Sequence, residues 1–193
     1  MRKRYSLIAM SLLAVALCSG CASLAMSISD PDWHKVQGSM YAKTDPLSGE
    51  EEIRDYMTLG HSNEFALYIK RMGNGAPALM ADAYYQIDSP GNLGLIKNAI
   101  VYDADNTNNR VEITFNPHAT QYDVGNGWWS ASSTAGHIQP ADYDMLYQIL
   151  KAPNPSIRLI VTDGFVESHV DLYISRNANY RALKVLEYYN SIV

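Results

Sequence analysis

The stretch "ALMADAYYQI", residues 78–87, decides the fold. Leu79, Ala81, Ala83, Tyr85 and Ile87 alternate with Met80, Asp82, Tyr84 and Gln86, the period of two that marks a β-strand with one buried face. Upstream, Phe65, Leu67 and Ile69 alternate with Ala66, Tyr68 and Lys70. Downstream, Ile96, Asn98, Ile100 and Tyr102 repeat less cleanly, and then Val111, Ile113 and Phe115 alternate with Arg110, Glu112 and Thr114. The links "GNGAP", "DSPGNLG" and "DADNTNN" are dense in turn formers, so the four segments read as an antiparallel meander.

Working outward, the chain reads as further strands around Val36 to Ala42 and Ile53 to Leu59, while the acidic link "TDPLSGEEE" suits either a strand or the start of a helix. The C-terminal third changes rhythm. Gln139-Pro140 opens a helical pattern, because Pro fits the first turn, and Met145, Leu146, Ile149 and Leu150 give it an apolar face that stops before Pro153. Strands resume at Ile157, Leu159 and Val161. They pass through Thr162-Asp163-Gly164, a hairpin signal, into Val166, Val170, Leu172 and Ile174. A closing helix from about Asn177 to Ser191 places Leu183, Leu186 and Tyr189 on one side. Strands first and helices late predict an α+β fold, mainly antiparallel β-sheet, meander or sandwich-like, with two helices in the C-terminal third.

The N-terminus reads differently. Arg2, Lys3 and Arg4 precede an apolar run from Leu7 to Leu17, which ends in Leu17-Cys18-Ser19-Gly20-Cys21. Cations, apolar core and small-residue exit are the three parts of a secretory signal. A redox C-x-x-C pair would need a strand before it and a helix after it, and neither pattern is present. The five residues resemble the lipobox of bacterial lipoproteins, with Cys18 where Leu is usual. That resemblance implies cleavage before Cys21, a diacylglycerol thioether on its sulfur and an acyl chain on its amino group, a pair of anchors that holds stably where one chain binds marginally. It also implies the outer membrane, since Ala22 stands where an inner-membrane retention signal would place Asp. The organisation expected is a signal peptide over 1–20, a lipidated tether over 21–32 and one globular domain over 33–193. The alternative is an uncleaved anchor, since Tyr5 to Ser29 carries no charge and is long enough to span a bilayer.

Cleavage removes Cys18 and leaves one cysteine, so the mature chain has no internal disulfide. It also removes three cations from 15, leaving 12 against 20 carboxylates, a net of minus eight with His neutral. With no clustered basic face, nucleic acid is not an expected partner. The partners expected are the membrane, through the lipid, and an envelope protein or glycan.

Local signatures for phosphate loops, dinucleotide folds, zinc proteases and nucleophile elbows are absent, and the five histidines stand far apart. The sequence implies no metal and no cofactor. Asp103 to Asn109 has calcium-like carboxylates at its first and third positions, but Asn108 stands where Gly is needed and Thr114 where Glu is needed, so a polar hairpin turn is expected. Glu167, His169 and Asp171 share one strand face, with neighbours roughly 7 Å apart along the strand; the choice there is a cation- or proton-handling group or a solvated face. In "VGNGWWSASSTAG", residues 124–136, Trp128 and Trp129 point to opposite sides of a strand within the most adaptable loop of the chain. An exposed Trp there would suit a ligand or partner, and burial of both is the ordinary reading. Two functions from different classes follow. One is a non-enzymatic binding or structural lipoprotein using Trp128 and Trp129. The other is an envelope hydrolase or metal-dependent enzyme centred on His169, with Glu167 or Asp171 and a distant partner such as His118 or His137.

Overall fold

The computed structural model describes residues 32–58, 64–72, 75–87, 94–125 and 128–193, the side chains of residues 72, 123–125 and 128 excepted. In chain order these form β1 (His34–Gln37), β2 (Met40–Thr44), β3 (Glu50–Asp55), β4 (Phe65–Met72), β5 (Ala78–Ile87), β6 (Leu95–Asp103), β7 (Asn106–Thr114), β8 (Gln121–Gly125) and β9 (Trp128–His137). They continue as α1 (Tyr143–Lys151), β10 (Pro155–Thr162), β11 (Glu167–Tyr173) and α2 (Arg176–Ile192). Seven strands make one sheet in the order β1-β2-β3-β4-β5-β9-β8, and four make a second in the order β11-β10-β6-β7. The fold is α+β, mainly antiparallel, with its two helices in the C-terminal part.

The apolar alternation builds one core from both sheets. Phe65, Leu67, Ile69, Leu79, Ala81 and Tyr85 line the large sheet, Ile96, Val101, Ile113, Ile157 and Leu159 line the small one, and all are buried. Each large side chain among them contributes about 1.5–3 kcal/mol of transfer free energy. Helix α1 lies on β6, β7 and β10 through Leu146, Ile149 and Leu150, and α2 lies on β3 and β4 through Ala178, Ala182, Val185 and Leu186. Polar ties fix the helix pair. Asn179 Nδ2 donates to Leu150 O (2.8 Å), and Tyr189 Oη donates to Pro77 O (3.1 Å), which leaves Tyr143 to donate to Tyr189 Oη (3.1 Å). Ser175 caps α2 by accepting the Ala178 N–H.

On the other face of the large sheet, Arg54 is 4% exposed, stacks 3.9 Å from the Tyr68 ring centre and donates to Glu52 and Asp82. A guanidinium tolerates such burial because carboxylates and a ring face replace its water. Opposite Asp82, β9 carries an extra residue. Ala81 pairs with Gly136 and Ala83 with Ser133, leaving Thr134 and Ala135 in a bulge, with Ala135 at φ 63°.

Several expectations need correction. The meander breaks between β5 and β6, which belong to different sheets. Tyr85 Oη accepts the Gly94 N–H (2.8 Å) and donates to Gly94 O (2.9 Å), and Gly94 lies against the Thr162 backbone, so the chain is passed to β10. The β6 face also differs. Val161 pairs with Ile96 and Ile160 with Asn98, so Lys97 bulges out and the alternation changes phase. Ile96, Ala99 and Val101 therefore face the core, while Ile100 and Tyr102 face outward. The segment from Val36 to Ala42 is two strands, split by a turn at Gly38-Ser39, and the next strand ends at Asp55 in a 3-10 turn, Tyr56–Thr58. The acidic link enters a strand rather than a helix, because Glu50 and Glu51 meet Lys70 and Arg71 across the ladder. The stretch 124–136 is mostly strand, with β9 inside the large sheet between β5 and β8.

The remaining hairpins follow their turn chemistry. Asp103 Oδ1 accepts the Asp105 N–H (3.0 Å) between β6 and β7. Asp163 Oδ1 accepts those of Phe165 and Val166 (2.9 Å each), with Gly164 at φ 98° between β10 and β11. Among the described residues no helix is long and apolar enough to cross a membrane.

Candidate functional site

The small sheet buries one face and presents the other. Pairing sets the outer face in three rows across β11, β10, β6 and β7: Tyr173, Ser156, Tyr102 and Arg110; then Asp171, Arg158, Ile100 and Glu112; then His169, Ile160, Asn98 and Thr114. Ile100, Tyr102, Arg158 and Ile160 are half-buried at its centre, and Tyr173, Asp171, His169, Arg110 and Glu112 are exposed around them. A depression of about 120 Å³ is lined by Ile100, Tyr102, Thr107, Arg110 and Arg158.

Glu167, His169 and Asp171 do share this face, as their alternation requires, and all three are exposed. Cations on β10 and β6 hold both carboxylates. Arg158 Nε and Nη2 donate to Asp171 Oδ1 and Oδ2 at 2.6 and 2.7 Å, a bidentate fork, and Lys97 donates to Glu167. The Arg158 hydrogen bond holds the Asp171 carboxyl below its ordinary range against the opposing effect of burial, and the charges of Arg158 and His169 add to the lowering. Burial pushes the Tyr102 phenol up, and the Asp171 charge acts in the same direction. His118 lies in the 3-10 turn Pro117–Ala119 and His137 at the end of β9 in the other sheet, where its Nδ1 meets Gln139 Nε2 at 3.0 Å. Among the described residues no group of three or more His, Cys, Asp or Glu is placed to hold a metal ion.

Trp129 pairs with Ile87 and Val124, shares the face of Ala131 and Ser133, and is half-buried. The side chain of Trp128 lies outside the described residues, as do Cys21 and the signal and tether segments up to residue 31. Sequence reasoning missed Tyr102, Arg110, Arg158 and Tyr173 as members of one surface. The signal for Tyr102 was the broken alternation of β6, which a bulge explains.

Chemically, this face offers an apolar centre, two phenol rings and guanidinium donors. Arg110 makes no ion pair among the described residues. Both carboxylates beside His169 are tied to cations, and Arg158 makes Asp171 a poor base, so the arrangement favours recognition over proton transfer. No protein-family model, curated protein or solved structure matches the chain.

Proposed function

We propose that this chain is a bacterial envelope lipoprotein, anchored in the outer membrane through lipid on Cys21, whose folded part binds an envelope protein without catalysis. The anchor rests on the sequence Leu17 to Cys21 behind a cationic start and an apolar run. One observation carries the binding role: the uncovered face of the small sheet, with half-buried Ile100, Ile160, Tyr102 and Arg158 rimmed by Arg110, Glu112, Asp171 and Tyr173. An apolar centre with Tyr and Arg, ringed by paired charges, is the anatomy of protein contact surfaces. The balanced signs on this face distinguish it from the acidic chain around it and suit a protein more than a polyanion. An enzyme centred on His169 has less support, because Lys97 and Arg158 already hold its two neighbouring carboxylates.

The test is native mass after gentle extraction from the host envelope, for the natural chain and for the Ile100→Glu and Tyr173→Ala variants. Added protein mass that the substitutions remove supports the reading. Protomer mass alone, or added mass indifferent to both substitutions, refutes it.

A further inference from the structure

A second site lies where the turn between β1 and β2 meets α2. Asp55, at the end of β3, is completely buried. Its Oδ1 accepts from Arg181 Nη1 (2.6 Å) and from the Met57 N–H (3.1 Å), and its Oδ2 accepts from Ser39 Oγ. Ser39 Oγ in turn accepts from Lys184 Nζ at 3.2 Å. The chain of bonds fixes the role of each group. Arg181 pairs with Asp55, and Ser39 gives its one proton to the same carboxylate, which leaves its oxygen to accept from Lys184. Lys184 contacts a hydroxyl and, at 4.7 Å, the Tyr180 ring, but makes no ion pair with a carboxylate among the described residues.

Above this network is a cleft of about 280 Å³, lined by Gln37, Gly38, Ser39 and Met40 on one side and by Lys184, Glu187, Tyr188 and Ser191 on the other. Lys184 and Glu187 are three apart on α2, which brings opposite charges side by side on one helix face. Among the described residues Glu187 pairs only loosely, with Lys151 at 3.9 Å. Buried Met40 and half-buried Tyr188 supply an apolar floor.

We propose that this cleft binds a free α-amino acid. Its carboxylate sits on Lys184, its ammonium on Glu187, and its side chain against Met40 and Tyr188. The volume restricts the ligand to small size, and the adjacent unlike charges select a zwitterion over a simple anion or amine. Both contacts are charge-assisted hydrogen bonds on a preset support, so losing either weakens binding by about tenfold or more. The site is independent of the lipid anchor and of the small-sheet face, and its failure would leave both proposals standing.

Saturation-transfer NMR on the full chain tests it, with glycine, alanine, serine and leucine as probes and propionate and propylamine as single-charge controls. The expected result is transfer to at least one amino acid, weaker transfer to both controls, and loss in Lys184→Met and in Glu187→Gln. Asp144→Asn, an exposed charge change on α1, should bind as the natural chain does. If Lys184→Met does not fold, Lys184→Gln replaces it. No transfer to any of the four amino acids, equal transfer to propionate, or binding that survives the Lys184 substitution overturns the proposal.

Discussion

Replacing Gly136 by alanine adds one carbon where β9 crosses β7. The new Cβ would stand 2.6 Å from Ile113 Cγ2 and 2.7 and 2.9 Å from Phe115 Cε1 and Cζ. Carbon atoms rest about 3.5–4.0 Å apart, so each contact is roughly 1 Å too close. Neither neighbour has solvent to move into, since Ile113 is 0% and Phe115 2% exposed. Overpacking of this kind costs about 1–3 kcal/mol, and two clashing side chains put it near the upper end. Alanine also restricts the unfolded chain, which returns about 0.4–1 kcal/mol. The net loss is then about 2 kcal/mol, or a fall in Tm of roughly 4–8 °C for a domain of this size. Urea unfolding of Gly136→Ala, Phe115→Leu and the double variant measures it. The smaller side chain at 115 should make the alanine cheaper, so the double variant should be more stable than the sum of the single losses predicts. A Gly136→Ala variant as stable as the natural chain, or strictly additive losses, would refute this account of how the sheets meet.

Asp55→Ala removes the shared acceptor of Arg181, Ser39 and Met57 and leaves a largely buried guanidinium without its partner. It should cost about 3 kcal/mol in urea unfolding, with Asp55→Asn costing less. The Asp171 carboxyl titrates below its ordinary range because of Arg158, so it contributes stability above about pH 4 that is lost as pH falls through its lowered midpoint. In Arg158→Gln the Asp171 midpoint should rise in a carboxyl-detected NMR titration. The change in stability should stay under about 1 kcal/mol, since the pair is solvent-exposed. Gly164→Val forces a side chain into φ 98° at the β10–β11 turn and should lower stability by about 1–3 kcal/mol, read by thermal unfolding.

Much of this was legible along the chain. The clean alternation of Leu79 to Ile87 and of Val111 to Phe115 comes from strand segments that carry no extra residue of their own, the bulge opposite Asp82 lying on β9, and Asp163-Gly164 sits in a two-strand turn that it helps to specify. Leu146, Ile149, Leu150, Leu186 and Tyr189 announced the helix faces for the same local reason. What failed were features set by distant partners. The bulge at Lys97 depends on its register with β10, and the departure of β6 from β5 depends on Tyr85 holding Gly94. The small residues of β9 looked like a loop because their value is close approach, as Gly136 shows against Ile113 and Phe115. The cleft was invisible for the strongest reason. Ser39 lies 16 residues from Asp55 and 145 from Lys184, and Asp55 lies 126 from Arg181, so no short motif could carry it.

The proposed lipid on Cys21 would decide which compartment the folded part occupies. The intact denatured mass of the protein extracted from its own host's envelope tests it most directly. The account predicts the mass of residues 21–193 plus a diacylglyceryl group and an acyl chain. The unmodified mass of residues 1–193 would contradict it and restore an uncleaved anchor over Tyr5 to Ser29.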